Sequence, residues 1–106
     1  MSRVLLGNLR WHPAVAAWQQ VAPMAPEPES LEVLDHRSHS GAYRLVGAGP
    51  GGTTIIARRS ALAKALFTRA VYQKILARLP VKAPRYHALK VENARVAWLF
   101  LEESRG

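Results

Sequence analysis

The spacing of apolar positions along the chain changes period three times, from helical to alternating, back to helical, and to alternating again. Trp11, Val15, Trp18 and Ala22 fall at helical spacing, and Pro13 suits a first helical turn, so a short amphipathic helix is expected up to Val21. Pro23, Pro26 and Pro28, mixed with Glu27 and Glu29, end it in an extended linker. Leu31-Glu32-Val33-Leu34-Asp35 then reads as a strand, Arg37-Ser38-His39-Ser40-Gly41 as a polar turn, and Ala42-Tyr43-Arg44-Leu45-Val46 as a second strand. Ile55-Ile56-Ala57-Arg58-Arg59 reads as a third. From Thr68 the period turns helical, with Thr68, Val71, Tyr72, Ile75, Leu76 and Leu79 on one stripe and Pro80 and Pro84 ending it. Arg85 to Val91 makes a fourth strand, Glu92-Asn93-Ala94 a turn, and Val96 to Leu101 the last strand. That last strand is apolar on both alternating sets, so it belongs in the middle of a sheet covered on both faces.

These elements predict an α+β fold: a five-stranded antiparallel sheet with one packed helix and an extra N-terminal helix. The expected division is an N-terminal helix and Pro-rich linker over residues 1–30, and the sheet-bearing unit over residues 31–106.

The run Val46-Gly47-Ala48-Gly49-Pro50-Gly51-Gly52-Thr53-Thr54 invites comparison with phosphate-binding loops. It lacks the Lys-Ser or Lys-Thr pair of a Walker A loop, and a β-branched run follows it where a dinucleotide fingerprint needs a helix. Strands on both sides make Pro50-Gly51-Gly52 a hairpin turn first.

Net charge changes the picture more than composition does. Of 106 residues 49% are apolar, ordinary for one small domain, and no run approaches the roughly 18 to 20 apolar residues of a membrane span. There is no cysteine and no secretory signal pattern at Met1 to Gly7, so a cytoplasmic location without a membrane partner is expected. The net charge is +8, and residues 54–106 hold eleven basic and three acidic side chains against four of each in residues 1–53. An anionic partner is implied, or a solvated basic face, or a basic part of a larger protein. Nucleic acid is not the expected partner, because the aromatic-flanked motifs of common RNA modules are absent.

Four stretches, "LEVL", "AYRLVGAGPGGTTIIARR", "TRAVYQKILARLPVKAPRYHAL" and "VAWLFLEES", together resemble the amino-terminal lobe of the aminoglycoside phosphotransferase-like group of kinase-fold phosphotransferases, over roughly residues 13 to 104. The resemblance implies a nucleotide, ATP as donor, beneath the turn of Ser38, His39, Ser40 and Gly41. It places Arg58 where the family has a phosphate-pairing lysine, with Arg59 as the alternative if the register slips by one. The family's helix glutamate falls on Thr68. Glu102 and Ser104 fall at the hinge that receives the adenine edge, so the cofactor-binding set it implies is Ser38, His39, Ser40, Gly41, Arg58, Glu102 and Ser104. In this family the catalytic aspartate and the magnesium-binding aspartate belong to a carboxy-terminal lobe. The expectation is therefore a lobe without catalytic or metal residues of its own, inactive until a second lobe or chain completes it, with magnesium present only then. The other class of function carried forward is a non-catalytic basic binding or regulatory module, or a decayed kinase fragment, offering Arg58, Arg59, Lys64, Arg69, Lys74 and Arg78 to an anion.

Other constellations carry less. His36 and His39 have metal-ligand spacing but no third ligand, and they fall at a polar turn. Ser38, Ser40 and His39 lack an acid placed to orient the histidine for nucleophilic work. Glu102 and Glu103 are adjacent on a strand and point to opposite faces, which does not suit paired acid and base chemistry. Trp98 and Phe100 could stack a base, but a doubly apolar central strand makes them core.

Overall fold

In the computed structural model, which describes residues 3–36, 40–75, 78 and 85–103, the chain orders its elements as β1 (Arg3–Leu6), α1 (Pro13–Val21), β2 (Ser30–His36), β3 (Gly41–Val46), β4 (Thr54–Ala61), α2 (Leu62–Lys74), β5 (Arg85–Val91) and β6 (Val96–Glu103). The strands form one six-stranded antiparallel sheet in the order β1-β2-β3-β4-β6-β5. The mixed α+β class holds, but the sheet has six strands rather than five. The additional strand is β1, a four-residue edge strand that pairs Arg3 with Val33 and Leu6 with Ser30. Its run is too short to announce itself, and only pairing with β2 makes it a strand.

Alternation along β3 and β4 separates two faces. On one face Leu31, Tyr43, Leu45, Ile55, Ala57, Trp98 and Phe100 form a core with Val15 and Trp18 of α1. The helix is anchored there because its apolar stripe meets that face and because the Trp18 Nε1–H donates to the Ala48 carbonyl at 3.0 Å. On the other face α2 covers only the β4, β6 and β5 side. Five successive residues of β6, Ala97 to Leu101, are buried, as a central strand between two helices requires. No helix among the described residues is long and apolar enough to cross a membrane.

α2 corrects the expected helix. It begins at Leu62, six residues before Thr68, because Leu62-Ala63-Lys64-Ala65-Leu66 consists of strong helix formers. Its close contact is the small Ala65, while Thr68, Val71 and Tyr72 of the expected stripe are only half-buried and Ile75, just past its end, is exposed. Leu76, Leu79, Pro80 and Pro84 lie outside the described residues.

The Pro50-Gly51-Gly52 segment joins β3 to β4 as a tight single turn, with Gly51 at φ 66° and Gly52 at φ 82°, values that favour glycine. Thr53 closes it, its N–H donating to the Pro50 carbonyl and its hydroxyl to the Glu102 carboxylate at 2.8 Å. The glycine-rich run is thus a hairpin connection.

Two irregularities re-aim side chains. The β2–β3 register shifts between Val33 and Asp35, so Asp35 pairs with Ala42 and joins its face, opposite that of Val33. A second shift between Tyr86 and Ala88 lets His87 meet the Trp18 ring, centroids 4.9 Å apart.

Candidate functional site

The β2–β3 hairpin end, the middle of β4 and the first turns of α2 converge on a cavity of about 320 Å³ beside α2, on the face of the sheet that α2 packs against. Ser40, Gly41 and Ala42 border it from the hairpin, and Asp35 joins them through the bulge. Arg58 enters from β4, directly opposite Ala42 on one side and Leu99 on the other. Ser60 follows on the same face, and Lys64 and Thr68, four residues apart on α2, close the cavity.

The cations around this cavity are not equivalent. Arg59 also borders it, but its guanidinium is clamped by Glu92, with Nε to Oε1 at 3.2 Å and Nη2 to Oε2 at 2.7 Å. The arginine hydrogen bonds, ahead of the one from the Trp98 Nε1–H at 3.1 Å, hold the Glu92 carboxyl below its ordinary value. Arg58 and Lys64, by contrast, have no carboxylate partner among the described residues. Two uncompensated cations therefore face a cavity rimmed by the hydroxyl-bearing Ser40, Ser60 and Thr68, a chemistry suited to anionic oxygens. A magnesium site fits poorly here. The cation needs several oxygen ligands, usually including carboxylates, whereas among the described residues Asp35 is the one carboxylate lining the cavity and the Arg58 and Lys64 side chains face it there. No group of three histidine or acidic residues that could hold a metal occurs among the described residues.

Of the residues the sequence singled out, Ser40, Gly41 and Arg58 meet at this cavity, and Thr68 faces the same space. Ser38, His39 and Ser104 lie outside the described residues. Glu102 stands apart, three residues beyond Leu99 on β6 and tied to Thr53. Glu103 points to the opposite face and, with Glu32, holds Arg44, at 3.1 and 2.9 Å. His36 bonds the Tyr43 hydroxyl through Nδ1 at 3.0 Å, and Trp98 and Phe100 are core. Asp35 and Ser60 had no signal in the sequence. Lys64 had only its charge.

Gly41 has a packing reason to be glycine. A Cβ there would lie 2.7 Å from the Tyr43 hydroxyl oxygen and 2.9 Å from the ring. Gly41→Ala should displace Tyr43, loosen its bond to His36 and cost about 1 kcal/mol. Urea unfolding measures the loss, and an unchanged midpoint would mean the ring yields freely.

No family model matches the chain, and no curated protein or solved structure matches it either.

Proposed function

We propose that the chain is the nucleotide-binding amino-terminal lobe of a small-molecule kinase similar to the aminoglycoside phosphotransferases. ATP is the donor, a small alcohol the acceptor, and a second lobe or chain completes the site. The observation that carries this proposal is the pair of uncompensated cations, Arg58 and Lys64, facing one cavity with the Ser40–Gly41 turn. The order of elements along the chain supports it too. Along the chain, three strands (β2, β3 and β4), then α2, then two strands (β5 and β6) follow one another as the resemblance implies, with β1 an added edge strand.

Phosphoryl transfer also needs a group that orients the acceptor hydroxyl. In the family the sequence resembles, that group is an aspartate of the carboxy-terminal lobe. The lobe accordingly binds without catalysing, and ATP-dependent phosphorylation of aminoglycosides by this chain alone is expected to be absent.

Titration calorimetry with ATP tests the binding. Saturable binding is expected, and Arg58→Gln should weaken it roughly three- to tenfold, as the loss of a partly solvated ionic contact would. If ATP does not saturate the chain while acidic polymers of any kind bind it, the chain is instead a basic binding module.

A further inference from the structure

We infer that the cavity receives a polyphosphate as the free anion and not as its magnesium complex, with Arg58 and Lys64 supplying the positive charge a divalent cation would bring. This rests on the nucleotide-binding proposal above and narrows its ligand. Three observations lead to it.

First, Arg58 keeps its charge for a ligand. The neighbouring helix position that could neutralise it holds Thr68, whose hydroxyl contributes no charge, and no carboxylate among the described residues pairs with Arg58. Second, Lys64 is added from the first turns of α2, so two positive side chains from different elements reach one space. Arg59 is already neutralised by Glu92 and does not compete for this role. Third, the site opposes a metal electrostatically. A divalent ion brought close to Arg58 and Lys64 is repelled by both and finds one carboxylate, Asp35, in return. Magnesium removes two negative charges from a triphosphate, and those charges are what Arg58 and Lys64 would hold. The metal and the two side chains thus compete for the same phosphate oxygens, and the free anion binds more tightly.

Titrating the full chain with tripolyphosphate and with ATP, each in EDTA and in excess magnesium, separates the possibilities. Saturable binding of both ligands is expected in EDTA, with magnesium weakening each roughly three- to tenfold. Removing both charges with Arg58→Gln and Lys64→Gln should erase the difference between the buffers. Both side chains are exposed, so thermal melts of this variant should match the parent. Thr68→Glu provides a second test, because a carboxylate beside Arg58 should lower affinity in EDTA and narrow the gap. Equal or tighter binding with magnesium overturns the metal-free inference and leaves nucleotide binding standing. Absence of saturable binding by either ligand in both buffers overturns both.

Discussion

Replacing Trp18 with alanine is expected to remove about 3–5 kcal/mol of folding stability. The side chain is fully buried, its ring lies 5.2 Å from that of Phe100 and 4.9 Å from that of His87, and its indole N–H satisfies the Ala48 carbonyl. The truncation leaves a cavity between α1 and the sheet and an unpaired buried carbonyl, two losses that add. A domain of this length has only the lower part of the usual ~5–15 kcal/mol to lose, so the variant should be largely unfolded near 37 °C. Trp18→Phe separates the contributions, since it fills most of the space but offers Ala48 no donor, and it should cost about 1–3 kcal/mol. Urea unfolding followed by circular dichroism gives both values. A loss under about 1 kcal/mol for the alanine variant would show α1 to be an accessory to the sheet and not part of its core.

The same contacts show what periodicity can and cannot reveal. Trp11, Val15, Trp18 and Ala22 predict a helix with an apolar stripe, and α1 is there with Val15 and Trp18 buried, but Trp11 precedes it and is exposed, and Ala22 follows its last residue. Which surface the stripe would meet is a matter of contacts across long stretches of chain, such as Trp18 with Ala48, His87 and Phe100. Strands bounded by turn residues were legible for the same local reason: β5 spans the residues expected, and β2, β3, β4 and β6 differ by a few residues at their ends. β1 was not legible, because a four-residue edge strand is defined by its partner. The early start of α2 is not marked by the apolar stripe, because helix propensity in Leu62 to Leu66 decides where it begins.

The candidate site divides in a similar way. Ser40, Gly41, Arg58 and Thr68 were reached through resemblance, and strand register then brings Arg58 beside the hairpin. Asp35 could not be foreseen. Simple alternation from Leu31 and Val33 puts it on the α1 face, and a one-residue bulge, invisible in the residue types, turns it to the cavity. Arg58 and Arg59 look interchangeable as letters, yet the strand sends them to opposite faces and Glu92 neutralises only the second.

Acidification should destabilise the chain in two stages, the first of them set by His12. His12 caps α1 through Nδ1, which accepts the Ala14 N–H at 3.1 Å and so requires a neutral imidazole. Burial first, and then the proximity of His36, hold its pKa below the ordinary 6.5. Around it are Arg3 from β1, His36 from β2 and Tyr43 from β3, with the Tyr43 ring edge-on at 4.8 Å, and no carboxylate lines that small cavity to stabilise an imidazolium. The unfolded chain therefore takes up a proton at a higher pH than the folded one. Stability is complete above about pH 6.5 and falls as the pH drops from there toward the folded pKa, below which this contribution has no further slope. The loss should be about 1–2 kcal/mol, the worth of a helix cap. Glu92 supplies the second stage with the same sign: Arg59 holds its pKa below the ordinary 4.5, so its contribution is present above that value and disappears as pH falls through the folded pKa. It should be the smaller stage, because the pair is partly solvated and screened. Urea midpoints from pH 8 to pH 3 would trace both. His12→Asn keeps a capping oxygen and lacks a titrating ring, so it should abolish the first stage while leaving the second. A first stage that persists in that variant would show that the cap of α1 does not set it.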